Sequence, residues 1–250
     1  MGKLFAAAAA CGLAGVAASQ ADASLVIDIR ATAVNGVPVS GDAKNVVAAP
    51  GQTVTFGVFA QVSGTNGVND EGFQGVSGVF RTSTGGLLGD LVSHTAGDAA
   101  TGFSALGSQQ GSQVDVDTDG DLDIGIGPNT PTTNSNTVFQ ARSGAMNTNG
   151  TVLNANTREW QIGTLDFQVK PDATGSSTID FLVRKNPNGT NNLQYGTWAE
   201  DTSTNPPGNK NPTLGTVTSS PALVSVPEPT GLALAGIAGL GLLARRRKNA

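Results

Sequence analysis

The chain has 250 residues, with 14 Lys and Arg against 19 Asp and Glu. That length holds one ordinary domain or two small ones, and the acid surplus gives no footing to nucleic acid, whose phosphates need Lys and Arg. One cysteine excludes an internal disulfide, and one histidine excludes a zinc motif built on two.

Residues 1–23 open the chain with Lys3 and then an apolar, small-residue run over 4–18. Ala21 and Ala23 frame a small-residue cleavage site, so this is read as a secretory signal peptide cut by signal peptidase, with the mature chain starting at Ser24. An uncleaved N-terminal anchor is the competing reading. The only cysteine, Cys11, lies inside this leader, and the stretch before it is too short for a lipid-attachment site. From position 24 to 230, nine Lys and Arg face eighteen Asp and Glu, a net charge of −9. Such a body suits a solvated extracellular protein or a cation binder.

Beyond the leader the apolar residues alternate at period two, as in half-buried strands. Over 25–31, Leu25, Ile27 and Ile29 share a face; over 53–62, Val54, Phe56, Val58, Ala60 and Val62 do. The stretches 165–169 and 179–183 repeat the pattern, and 76–80 and 160–162 repeat it more weakly. Turn formers such as Ala49-Pro50-Gly51 and Lys170-Pro171-Asp172 separate them. Stretches 102–113 and 125–137 read as polar loops, and 202–213 as a long loop or the start of a stalk. No fixed-period repeat occurs, which disfavours a propeller or solenoid. The expectation is an all-β chain with a single β-sandwich of jelly-roll type over 24–200 and a linker with a terminal extended segment over 201–226.

The opening strand, the Ala-Pro-Gly-Gln-Thr-Val-Thr run at 49–55, Gly72-Phe73-Gln74, and the late segments 162–167 and 177–181 together resemble a cohesin module over residues 24–183. The resemblance implies a cohesin-like sandwich. Its motifs are turn chemistry, so it implies no dockerin partner.

The sharpest chemistry is at 115–126, where Asp115, Asp117, Asp119, Asp121 and Asp123 alternate. Carboxylates so spaced repel one another unless a cation sits among them. Asp115, Asp117 and Asp119 are expected as side-chain ligands and Gly120 as the sharp turn. Asp121 would give its backbone carbonyl, and Asp123 would close the site directly or through water. Oxygen-only ligation favours Ca²⁺ in a structural role. The pattern resembles EF-hand, dockerin and FG-GAP calcium loops. Ile126 stands where an EF-hand has its bidentate Glu, and Ile124 and Ile126 read as a strand leaving the loop, nearer the FG-GAP form. A solvated acidic turn with no ion is the alternative.

Catalytic machinery is not evident. His94 sits in Ser93-His94-Thr95 with no nucleophile elbow nearby and reads as a strand-end residue. A carboxylate pair for glycoside hydrolysis stays open, since eighteen acids are available. Trp160 alternates with Ile162 and reads as core. Tyr195 and Trp198 are either core or contacts that stack on a sugar.

The chain ends in Pro227-Glu228-Pro229, a 15-residue uncharged run over 230–244, and Arg245-Arg246-Arg247-Lys248. As a helix the run spans about 22 Å, short of the ~30 Å hydrocarbon core, and flanking arginines can snorkel to close the gap. The basic stub would hold its end in the cytoplasm. The two prolines keep the motif extended and accessible. These features in this order resemble the PEP-CTERM sorting tail of bacteria with two membranes. The resemblance implies recognition of Pro227, Glu228 and Pro229 by an exosortase-type membrane transpeptidase that removes the tail. A buried terminal helix is the alternative, disfavoured because the apolar residues run all round it.

Together these readings describe an exported, non-catalytic protein of the cell envelope or extracellular matrix, structural or adhesive, working among exopolysaccharide. A carbohydrate-binding module is the second reading and a glycosidase or lyase the third.

Overall fold

A computed structural model describes residues 24–64, 70–83, 88–96, 109–125, 137–140, 147–184, 196–199, 209–210 and 217–227. Among them there is no helix. In chain order the strands begin with β1 (Ser24–Val34), β2 (Val37–Pro38), β3 (Asn45–Val47), β4 (Thr53–Ser63), β5 (Gly72–Thr82) and β6 (Gly89–Ala96). The middle of the chain gives β7 (Gln109–Gln110), β8 (Gln113–Val114), β9 (Asp123–Ile124), β10 (Thr137–Gln140) and β11 (Thr151–Asn154). The last are β12 (Thr157–Val169), β13 (Gly175–Val183), β14 (Gly196–Ala199), β15 (Asn209–Lys210), β16 (Val217–Ser220) and β17 (Ala222–Val226).

These strands form two sheets. The seven-stranded sheet has the order β11-β12-β4-β1-β16, with β2 beside β1 and β6 beside β12. The ten-stranded sheet has the order β15-β14-β5-β13-β17-β3, with β7 to β10 attached around β5. All pairings are antiparallel except β1–β16 and β3–β17.

The period-two pattern explains the packing. Leu25, Ile27 and Ile29 of β1 and Val54, Phe56, Val58, Ala60 and Val62 of β4 are all fully buried, and they share one core with Phe73, Phe80, Ile179 and Val224 of the other sheet. Each large side chain removed from water this way contributes about 1.5–3 kcal/mol. Rings bridge the layers: Phe73 meets Trp160 at 6.0 Å and Phe80 meets His94 at 5.2 Å. The all-β sandwich is therefore the observed architecture.

Two expectations change. The segments 160–162 and 165–169 are one strand, β12, with a register shift between Gln161 and Gly163. That bulge moves the buried set from Trp160 and Ile162 to Leu165, Phe167 and Val169, so the alternation changes phase inside a single strand. The boundary at 200 also moves. Residues 217–226, expected within a linker with a terminal extended segment, form β16 in the first sheet and β17 in the second, and Val217, Ala222, Val224 and Val226 enter the core. The physical reason is that β1 and β13 would otherwise each expose an unpaired edge.

Candidate metal loop and sorting tail

The loop between β8 and β9 is held by both sheets. On the β6 side, Leu91 donates its N–H to Leu122 O at 2.7 Å, and Leu122 donates to Asp90 Oδ1 at 2.9 Å. On the β5 side, Ile124 pairs with Phe80, and Thr82 donates its N–H to Asp123 Oδ1 at 3.0 Å. The turn itself needs left-handed backbone at Thr118 (φ 63°) and Gly120 (φ 96°). Glycine adopts that conformation freely, whereas threonine does so at a cost of about 1–3 kcal/mol.

The five carboxylates divide into two kinds. Asp115 folds the turn: Oδ1 accepts N–H bonds from Thr118 at 2.6 Å and Asp119 at 3.2 Å, and Oδ2 accepts from Gly120 at 3.1 Å. Asp123 is fully buried and joins the loop to β5, with Oδ2 accepting from Val116 N–H at 3.1 Å. Asp117, Asp119 and Asp121 converge instead, each offering a carboxylate oxygen within 4.8 Å of the others. A second such group is Asp115, Asp117 and Asp123. Asp121 is only 2% exposed, and one of its oxygens accepts from the Thr82 hydroxyl. Asp121 thus brings its side chain to the cluster, and Asp115 and Asp123 have all their oxygens engaged by backbone N–H groups.

Desolvation dominates the electrostatics. It pushes the Asp121 carboxyl up to about 7, helped by the charges of Asp119 and Asp123 and opposed by the Thr82 hydrogen bond. It pushes Asp123 up to about 6 against the Thr82 and Val116 N–H bonds. It raises Asp117 too, with Asp119 adding repulsion and Arg81 opposing. Arg81 Nη1 lies 3.5 Å from Asp117 Oδ2. Lys170 Nζ reaches Gly120 O at 3.2 Å and Asp90 Oδ1 at 3.4 Å.

The same end of the sandwich releases the tail. Lys170 opens the turn between β12 and β13, and Gly175, where β13 begins, pairs with Val226, the last residue of β17. Pro227 follows directly. Glu228, Pro229, the apolar run 230–244, and Arg245, Arg246, Arg247 and Lys248 lie outside the described residues, as do Ala21 and Ala23 of the leader and Tyr195.

Trp198 does not support the sugar-stacking alternative. It lies in β14 opposite Phe73 and Lys210 and is fully buried, so neither face of its ring is free to receive a ligand. His94 is 5% exposed and packs on Phe80, a core position and not a strand-end one.

A second charged cluster went unread in the sequence. On the face of the first sheet opposite the core, Asp28 and Glu159 are 4% and 8% exposed. Arg30 donates Nε to Asp28 Oδ2 at 2.5 Å and its two Nη groups to the two oxygens of Glu159. Lys44 donates to Asp28 Oδ1, and to the carbonyls of Ile29 and Ser220 at 2.7 Å each. Gln61 Nε2 donates to Glu159 Oε2 at 2.8 Å, and the Arg30 guanidinium lies 4.5 Å over the Phe59 ring. Desolvation pulls the Arg30 pKa down, but Glu159 and Asp28 outweigh it and hold the group above its ordinary value. The only sequence signal was the i, i+2 pair of opposite charges on β1.

The PEP-CTERM protein-sorting motif matches residues 225–248. The motif implies an exported protein, anchored at its C-terminus before processing by an exosortase-type membrane enzyme. Cohesin modules are among the solved structures to which the chain is similar. The seventh ScaB type I cohesin of Pseudobacteroides cellulosolvens is 14% identical, with a TM-score of 0.40 over 82% of this chain and 92% of its own. A type III cohesin of the ScaE cell-surface anchoring scaffoldin of Ruminococcus flavefaciens is also 14% identical, with a TM-score of 0.40 over 82% and 88%. No curated protein matches the sequence.

Proposed function

We propose that the protein is a non-catalytic structural or adhesive component of the cell envelope or extracellular matrix, working among exopolysaccharide after an exosortase-type transpeptidase removes its tail. The observation that carries this reading is the join at Val226. β17 stays paired in the second sheet through Val226↔Gly175, and the matched sorting sequence already begins at residue 225. A cut at Pro227–Pro229 thus leaves the whole sandwich folded. In the sequence only Pro227-Glu228-Pro229 lie between the end of β17 and the apolar run that starts at 230. The acidic body supports a solvated exterior role. The burial of the sole histidine removes the most versatile acid–base group from the surface.

Mass spectrometry of the protein recovered from cells and medium tests this. The expected species starts at Ser24 and lacks residues 230–250, and Glu228→Ala accumulates with its tail in the membrane fraction. Native protein recovered from cytosol with both ends intact overturns the reading.

A further inference from the structure

We infer that the β8–β9 loop is a Ca²⁺ site whose side-chain ligands are Asp117, Asp119 and Asp121, with Asp115 and Asp123 as positioning residues. Two oxygens bound to one Ca²⁺ at about 2.4 Å lie at most about 4.8 Å apart. The convergence of these three carboxylates meets that limit. Proximity of acids alone says little, and the decisive feature is Asp121. It is 98% shielded from solvent, yet its Oδ1 has no hydrogen-bond partner, and the side chain is aimed at Asp117 and Asp119. Both oxygens of Asp117 and Oδ2 of Asp119 are likewise shut off from solvent and accept no hydrogen bond, the nearest cation being Arg81, 3.5 Å from Asp117 Oδ2. While ionised, a carboxylate only accepts, so these groups satisfy one another only where one of them holds a proton. A cation satisfies all of them at once.

The donor set selects the ion. Three carboxylates with no nitrogen or sulfur donor exclude the preferences of zinc and copper. Ca²⁺ takes six to eight oxygens in flexible geometry, so three carboxylates fill part of its shell and water can take the rest, whereas Mg²⁺ dehydrates reluctantly. Asp115 and Asp123 have all four oxygens engaged by backbone N–H groups and fix the loop's shape. Arg81 is the competing cation. Its guanidinium touches the cluster only through Asp117 at 3.5 Å, and its side chain is 35% exposed and able to swing outward. The ion would lock a loop that ties β6 to β5, at the end of the sandwich where the tail leaves.

The full chain, stripped with EDTA, is titrated with CaCl₂ by calorimetry and by thermal melting, with MgCl₂ and NaCl of matched ionic strength as controls. One ion per chain is expected, with a dissociation constant of about 10⁻⁴–10⁻³ M as in other extracellular modules. At about 10 mM CaCl₂ the melting temperature should rise by roughly 4 °C or more, and the controls should not reproduce it. Asp119→Asn, at a partly buried position where the amide oxygen can still accept from Asp121 N–H, weakens binding at least about tenfold, because one anionic ligand is gone. Arg81→Gln tightens it several-fold. No calcium-specific heat or melting shift in either the parent or Arg81→Gln overturns the site. Unchanged affinity in Asp119→Asn overturns the ligand set.

Discussion

On the outer face of the first sheet, Asp28 and Glu159 are buried against Arg30 and Lys44, and every oxygen of the two carboxylates accepts a hydrogen bond. At the end of the sandwich, Asp117, Asp119 and Asp121 are buried largely against one another, with one guanidinium at 3.5 Å. Both clusters withdraw carboxylates from water. The first is neutral with groups the chain itself supplies, two cations for two anions. The second keeps an excess of negative charge on a loop that both sheets grip. The difference teaches that burial alone does not define a site: a charge that is fully answered within the fold is architecture, whereas one left unanswered is addressed to something outside it.

Breaking the answered cluster should have the largest effect. Arg30→Met keeps the stem but leaves Glu159 Oε1 without a donor and Asp28 with one cation. Removing one partner of a buried pair costs about 3–5 kcal/mol, and the lower end applies because the Arg30 side chain is 30% exposed. Denaturant unfolding of the full chain should therefore lose about 3 kcal/mol, with a fall in melting temperature of roughly 6–12 °C. Adding Glu159→Gln should restore at least about 1 kcal/mol relative to the sum of the single changes, since the two groups share hydrogen bonds. Simple additivity would mean that the pair does not act as a unit.

The unanswered cluster should respond in the opposite direction. In EDTA, Asp121→Asn replaces a buried carboxylate with an amide that can donate to Asp117 and Asp119 and still accept from Thr82. The relief should be about 1–2 kcal/mol, the scale of one unsatisfied buried group. In saturating Ca²⁺ the same variant should be less stable than the parent, because it has lost a ligand. A destabilisation that is equal with and without Ca²⁺ would make Asp121 an ordinary buried acid like Asp28.

The contrast also explains what was legible beforehand. β4 could be read directly, because Val54 to Val62 alternate without interruption. β12 was read as two fragments, because its bulge reverses the phase within one strand. β16 and β17 were missed: Val217, Ala222, Val224 and Val226 are diluted by Ser, Thr and Pro, and their pairing partners are β1 and β13, far back in the chain. The acidic loop announced itself because its five carboxylates are neighbours in sequence. Which of them fold the turn and which converge is set by the position of Thr82, 39 residues before Asp121. The Arg30–Glu159 contact spans 129 residues and has no local signature at all. Trp198 stayed open between core and ligand contact in the sequence, and its pairing with β5 places it inside.

The smallest effect should come from Lys170, which stands between the two regimes. Its ammonium reaches Gly120 O and Asp90 Oδ1, but both side chains are more than a quarter exposed. Exposed pairs of this kind contribute about 0.2–1 kcal/mol and are screened by salt. Asp90 also keeps its bond from Leu122 N–H when the lysine is gone. Lys170→Met should thus lower the melting temperature by only about 1–2 °C, and the difference should shrink as NaCl rises from about 0.01 M towards 1 M. The loss in Arg30→Met should persist over the same range, since its partners are out of reach of the counterions. A Lys170 effect as large and as insensitive to salt as that of Arg30 would mean that the loop, too, is neutralised by the chain's own cations, and the distinction between the two clusters would fail.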